Sequence, residues 1–213
     1  LGSHIYQVGF IVKLIRLGKD DDRFNSWKQR TKEFLTDWLG QRKVVQDKLA
    51  GYAHALIFWG FLMLVSDVID LGTGGLFAKF LEKIYLVNIW NLVVDIGYTM
   101  AGVGIIISLY RRLIVRPEKL KGASVEGVLI LFAILGIVIT AFIVEAGYMI
   151  GDKAHYNNWE PVGVLFAKQM ENINIETLGT IVDASYWIHM ILIGLFLIEI
   201  PQTKHSHLIG TIP

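Results

Sequence analysis

Cysteine is absent from the 213 residues, which excludes disulfides, thiolate zinc sites and cysteine-ligated iron–sulfur clusters within this chain. Any metal here would be held by His, Met or carboxylates. Proline is also scarce, four in all, and none interrupts the centre of an apolar run, which speaks against the broken helices of a transporter. Charge is scarcer still. Only 18% of residues are charged against 54% hydrophobic, with a mean hydropathy of +0.50, whereas a soluble domain carries about 25% charged residues. The composition is that of a membrane protein. A formal net charge of +1 offers no reason to expect nucleic acid as a partner. The chain begins at Leu1, and LGSHIYQVGFIVKLIRLG reads as a first span whose beginning is missing, so a fragment of a longer polypeptide is expected. No Arg-rich start with a cleavage site is visible, nor any internal repeat, low-complexity tract or second domain.

A helix needs about 20 apolar residues to cross a bilayer. Four windows meet this, Ala50 to Leu71, Ile89 to Tyr110, Val125 to Ile150 and Asp183 to Ile200, and the stub Ile5 to Leu17 makes a fifth. The expected fold is an all-α integral membrane protein, a five-helix transmembrane bundle. Residues 1–17 hold the first span, 18–49 a cytoplasmic interfacial segment, 50–201 four further spans and 202–213 a cytoplasmic end. Lys and Arg crowd residues 13–48, the link Arg111 to Lys121, and Lys204. The positive-inside rule makes those segments cytoplasmic. The links 72–87 and 151–181 then face outward, and the chain is a multi-pass protein of the inner membrane with its C-terminus in the cytoplasm.

Histidine in hydrocarbon requires a partner, a ligand or an exit to water. In GYAHALIFWGF, His54 falls about one turn inside the cytoplasmic end of the second span. In YWIHMILIGLFLIEIPQTKHSHLIG, His189 falls in the outer half of the last span, and His205 and His207 just past Pro201. His189 and His207 are 18 residues apart (207 − 189), five whole turns at ~100° per residue, so they share a face while a rise of roughly 27 Å separates them. His54 and His207 share the cytoplasmic level. Two imidazoles on different helices at one depth suit the axial ligation of a b-type haem. Pro201 can kink or end the helix, so His205 stays a substitute for His207. For any one of these histidines an interfacial polar residue is the ordinary reading. The glycines that stud the spans, Gly60, Gly97 and Gly104 among them, allow either close helix contact or room for a planar macrocycle.

The pattern H-x11-P-x-x-[KR]-x-x-H that closes the last span, here His189, Pro201, Lys204 and His207, resembles the cytochrome b (gamma) subunit of respiratory nitrate reductase. The runs GKDDDRFNSW, AGYAHALIFWGFLML, YRRLIVRP, FIVEAGYMI and IPQTKHSHLI are still more similar to the membrane domain of heterodisulfide reductase related iron–sulfur oxidoreductases, over nearly the whole chain. The resemblance implies one or two b haems and electron transfer between a menaquinone-type quinone and a cytoplasmic iron–sulfur protein. In many relatives that part follows on the same chain, and the lack of cysteine and the end at Pro213 fit a chain cut at this junction. One position departs from the nitrate reductase pattern: Leu64 stands where a second histidine would pair with His189. His155, in the outer loop GDKAHYNNWEP, is a candidate replacement, with a plain surface histidine as the other account.

Alternatively, His189 hydrogen-bonds a quinone or pairs with a buried acid. Asp95 and Glu145 map to the outer half near His189 and are the candidates for quinol proton handling, with helix capping or pairing to Lys79 or Lys83 as the structural alternative. Asp67 and Asp70 read as solvated residues at a helix end. The rival function is a haem-free membrane anchor for a soluble redox partner. Trp27, Phe34, Leu35 and Trp38 interspersed among charges suit an amphipathic helix at the interface, or a docking surface.

Overall fold

The structure, a computed structural model, describes residues 9–10, 13–14, 16–18, 26–118, 125–151 and 158–199. No strand occurs among these residues. Four helices are long and apolar enough to cross a membrane: Lys48–Thr73, Val87–Val115, Val125–Gly151 and Ile175–Ile198. The expected fifth, over 5–17, lies largely outside the described residues. The chain divides into two compact units, Val44–Ile193 and a second made of Leu1–Lys43 with Gly194–Pro213.

In the smaller unit, helix α1 (Trp27–Glu33) runs on into a π-helical turn, Phe34–Leu39. Phe34 and Trp38 stack with ring centroids 4.8 Å apart, while Trp27 remains 70% exposed. Arg42 and Lys43 both reach Asp37, at 2.8 and 2.9 Å. These cations, Lys43 first, hold the Asp37 carboxyl below its ordinary range.

The larger unit holds α2 (Lys48–Thr73), α3 (Leu76–Lys83), α4 (Val87–Tyr110), α5 (Val125–Gly151), α6 (Pro161–Met170) and most of α7 (Ile175–Glu199). Between lipid-exposed helices no hydrophobic force drives association, so close backbone packing at small residues must supply it. The α2–α4 seam is built that way. A Cβ on Gly60 would lie 2.7 Å from the Gly97 carbonyl oxygen and 2.8 Å from the Ala101 nitrogen. One on Gly104 would lie 2.6 Å from the Ala53 carbonyl oxygen. Of the two uses the sequence allows for these glycines, helix contact is the one they serve. At one end of the seam Arg111 bonds Asp47 at 2.9 Å, and the Arg112 guanidinium lies over Gly127 of α5. This is the basic end of the unit.

At the other end the links form short helices. Gly74 and Gly75 take left-handed conformations (φ +64° and +82°), which ends α2 as glycine does at little cost. Asp70 then caps α3, its Oδ1 accepting the Ala78 amide at 2.7 Å. The segment 151–181, expected as a polar loop, contains α6, started by Pro161 at its first position. The last span begins eight residues earlier than Asp183 (183 − 175), because Asn174 caps it by accepting the Thr177 amide at 2.8 Å and Glu176 occupies its first turn.

Gly60→Ala is expected to lower the unfolding free energy in detergent by about 1–3 kcal/mol through overpacking. Gly72→Ala, where a Cβ meets nothing within 4 Å, is expected to be neutral or stabilising by up to about 1 kcal/mol. Equal effects at both sites would show that the seam is not tight.

Candidate functional site

One face of α7 is packed while most of the helix is exposed. Leu178, Ser185 and His189 are its buried residues, and Val182 and Leu192 from the same stripe lie against Gly147 and Gly136 of α5. The histidine is therefore on the interior stripe, as its spacing requires. Its depth differs from the sequence expectation. Because α7 starts at Ile175, His189 lies about four turns into the helix, opposite Ile137 and Thr140 near the middle of α5, rather than within two turns of an end.

His189 is 9% exposed. Its Nδ1 is 3.0 Å from the Ile137 carbonyl oxygen and 3.0 Å from Thr140 Oγ1. A carbonyl only accepts, so Nδ1 carries the proton and donates to it. The Thr140 hydroxyl in turn donates to the Gly136 carbonyl at 2.7 Å. That pairing assigns the tautomer and leaves the lone pair on Nε2, the nitrogen that accepts a hydrogen bond or binds a metal.

Acids on three other helices make their own contacts in this unit. Asp67 of α2 accepts the Tyr98 hydroxyl of α4 at 2.7 Å and is in electrostatic contact with His189. Glu145 of α5 is in electrostatic contact with Glu160, Asp95 and Asp67. Asp67 and Asp70 were expected to be merely solvated; instead each is bonded, one to a phenol and one to a helix end. The reason is that α2 extends to Thr73 and the links fold back over it.

Asp95, 1% exposed, accepts the Gly163 amide at 2.9 Å and the Val162 amide at 3.3 Å. It is an N-cap delivered from another helix, complementing the positive end of α6. The capping alternative, rather than Lys79 or Lys83, is what its carboxylate meets. Gly163 lets the start of α6 pack closely on Glu145, whose Cδ would lie 2.9 Å from a Cβ there. Pro161, Gly163 and the acid in EPVGV were the sequence signals for this helix. Tyr98, three residues after Asp95 on the same face, was the signal for the phenol.

Of the remaining histidine candidates, His54 alone is among the described residues. His54 is exposed on α2, next to Ala53, whose backbone faces Gly104. His155, His205 and His207 lie outside the described residues. Leu64, in place of a second upper histidine, is buried among Tyr98, Ala101, Val138 and Phe142, with Phe166 packed against them. Phe142 stacks on Phe166 at 5.1 Å and meets Tyr98 edge-on at 5.9 Å. Among the described residues no group of three or more His, Cys, Asp or Glu is placed to hold a metal ion.

Two distant relatives are found among known proteins. Over 218 aligned residues the chain is 26% identical to the Bacillus subtilis protein named "Probable iron-sulfur-binding oxidoreductase FadF", covering 97% of this chain and 29% of that protein. Over 194 residues it is 25% identical to the "EtfAB:quinone oxidoreductase" of Syntrophomonas wolfei, covering 86% of this chain and 27% of that protein. The chain spans less than a third of the length of either. No protein-family model and no solved structure matches it. The chain is thus distantly similar to two oxidoreductases and carries four helices apolar enough to cross a membrane.

Asp95→Ala is expected to cost about 1–3 kcal/mol by leaving two buried amides unpaired, and to raise hydrogen exchange at Val162 and Gly163 selectively. Asp95→Asn, which keeps one acceptor, is expected to fall between. Unchanged exchange at both amides would contradict the cap.

Proposed function

We propose that this chain is the membrane part of a quinone-linked oxidoreductase, passing electrons between a menaquinone-type quinone and an iron–sulfur protein or domain at its basic end. The observation that carries the reading is a set of polar side chains within the four apolar helices: buried His189 held by Thr140 and Ile137, and half-buried Asp67 bonded by the Tyr98 hydroxyl. Polar and ionisable side chains in a bilayer are expensive and default to function. The names of the two relatives, one iron–sulfur-binding and one quinone-linked, agree with it. The positive-inside rule puts the basic end in the cytoplasm of a cell whose inner membrane holds the chain, with the C-terminus on the same side.

A b haem belongs to the same reading, at one site. His54, exposed on α2, would be one residue to hold its iron, and His207, with His205 as substitute, would be the other. When bound, such a haem would supply a one-electron relay. A second haem at His189 does not suit the packing around Leu64. His189 instead offers Nε2 to a quinol hydroxyl, Thr140 and Ile137 fix the ring, and Asp67 and Glu145 provide carboxylates for the proton. Asp95 contributes by holding α6 over Glu145 rather than by meeting the quinol. The rival reading, a haem-free anchor, accounts for the four spans without using the polar group.

Pyridine haemochrome assays on purified protein are expected to give one haem per chain, lost in His54→Ala and in His207→Ala and kept in His189→Ala. Haem lost in His189→Ala would restore an upper haem. No haem in the wild type would favour the anchor.

A further inference from the structure

The smaller unit takes no part in the site described above, yet its helix is built with two faces. Helix α1 and the π-helical turn that continues it run unbroken from Trp27 to Leu39. Trp27, Phe34, Leu35 and Trp38 are spaced i, i+7, i+8 and i+11, which sets them on one stripe. Trp27 is 70% and Leu35 53% exposed there, while Phe34 and Trp38 stack on each other. Thr31, between them, donates its hydroxyl back to the Trp27 carbonyl at 2.9 Å and so leaves no unmet donor on the stripe. The opposite face is polar, with Gln29 donating to Glu33 at 3.0 Å. Lys28 and Lys32 border the stripe on one side and Arg30 on the other, as ~100° per residue requires.

Beyond Leu39 the chain folds back. The Gly40 amide donates to the Leu35 carbonyl at 2.9 Å, Gln41 takes φ +51°, and Arg42 and Lys43 close on Asp37. That pairing neutralises Asp37 while the two cations keep 67% and 72% of their side chains exposed. Residues 26–43 thus carry five cations against two acids, one of them already paired and the other, Glu33, on the far face. Lys43 precedes the spanning helix α2 by only five residues (48 − 43), which makes the segment juxtamembrane by chain length alone.

We infer that Trp27–Lys43 docks on the anionic phospholipid of the adjoining leaflet, with Trp27 and Leu35 entering the acyl boundary and the five cations lying among the phosphates. Basic residues bordering an apolar stripe next to a spanning helix suit that surface, since their stems lie along hydrocarbon while their charged ends reach the headgroups. An acidic protein would satisfy the cations alone. The exposed indole favours the leaflet, because tryptophan is enriched at the level of the headgroups. Electrostatic docking of this kind weakens with salt and with loss of lipid charge. It stands apart from the quinone reading, and no part of its test reads quinone.

The test uses the full native chain in nanodiscs of phosphatidylcholine, with or without phosphatidylglycerol. Backbone amides of Trp27–Leu39 are expected to exchange hydrogen at least about tenfold more slowly when phosphatidylglycerol is present, because each Lys or Arg near an anionic surface contributes about fivefold. Molar salt is expected to abolish the difference. Lys28→Gln combined with Lys32→Gln is expected to reduce the slowing at least about threefold. A photo-crosslinker introduced as Leu35→p-benzoylphenylalanine, at an exposed position, is expected to form phospholipid adducts. Equal exchange in the two membranes, or adducts with another polypeptide in place of lipid, would overturn the inference. Should the double lysine variant not fold, the wild type's dependence on lipid charge and salt decides.

Discussion

The close approach of α2 and α4 sets the other distances at the site. Gly60, Gly97 and Gly104 let the two backbones touch, and only at that separation does the Tyr98 hydroxyl reach Asp67 and the Trp90 ring reach Ser66, its Nε1 donating at 3.0 Å. In a bilayer the reward for such contact comes from packing and hydrogen bonds alone. The seam is therefore both the scaffold and the ruler of the polar group above it.

A second constraint is that every backbone amide at membrane depth needs a partner. The two short helices α3 and α6 begin near the spans, and each takes its cap from a carboxylate on a span, Asp70 for one and Asp95 for the other. Buried acids of similar appearance thus divide by what they meet. Those that meet amides secure the fold. Asp67 and Glu145, which meet a phenol, an imidazole's field and other acids, remain free for chemistry.

Much of this architecture was legible in the sequence. Because a run of about 20 apolar residues is a strong signal, four of the five expected spans fall within two residues of the helix ends, except that the span of α4 runs on five residues to Val115 and α7 starts eight residues early. The polar start of α7, IETLGTIVD, hid a helix that a cap and a first-turn acid announce more quietly than hydropathy does. The packed face of His189 followed from its spacing, whereas its depth did not, since depth was counted from the wrong helix start. That Asp67, one turn beyond Leu64, meets the Tyr98 hydroxyl depends on the α2–α4 separation and the α4 register. Neither is written in a local pattern. From the sequence alone Asp95 takes the proton role and Asp67 plain solvation, because the amides that make Asp95 a cap lie 67 and 68 residues away from it.

The account joins a basic end suited to an electron-carrying partner with a buried imidazole held through Nδ1 by Ile137 and Thr140. Both features serve one purpose if a quinone enters between the helices and binds at His189. Equilibrium binding of a menaquinone analogue to the purified chain in lipid nanodiscs, wild type against His189→Leu, tests this most directly. The account predicts saturable binding of one analogue per wild-type chain and only unsaturable partition into lipid for the variant; identical isotherms for the two proteins would contradict it.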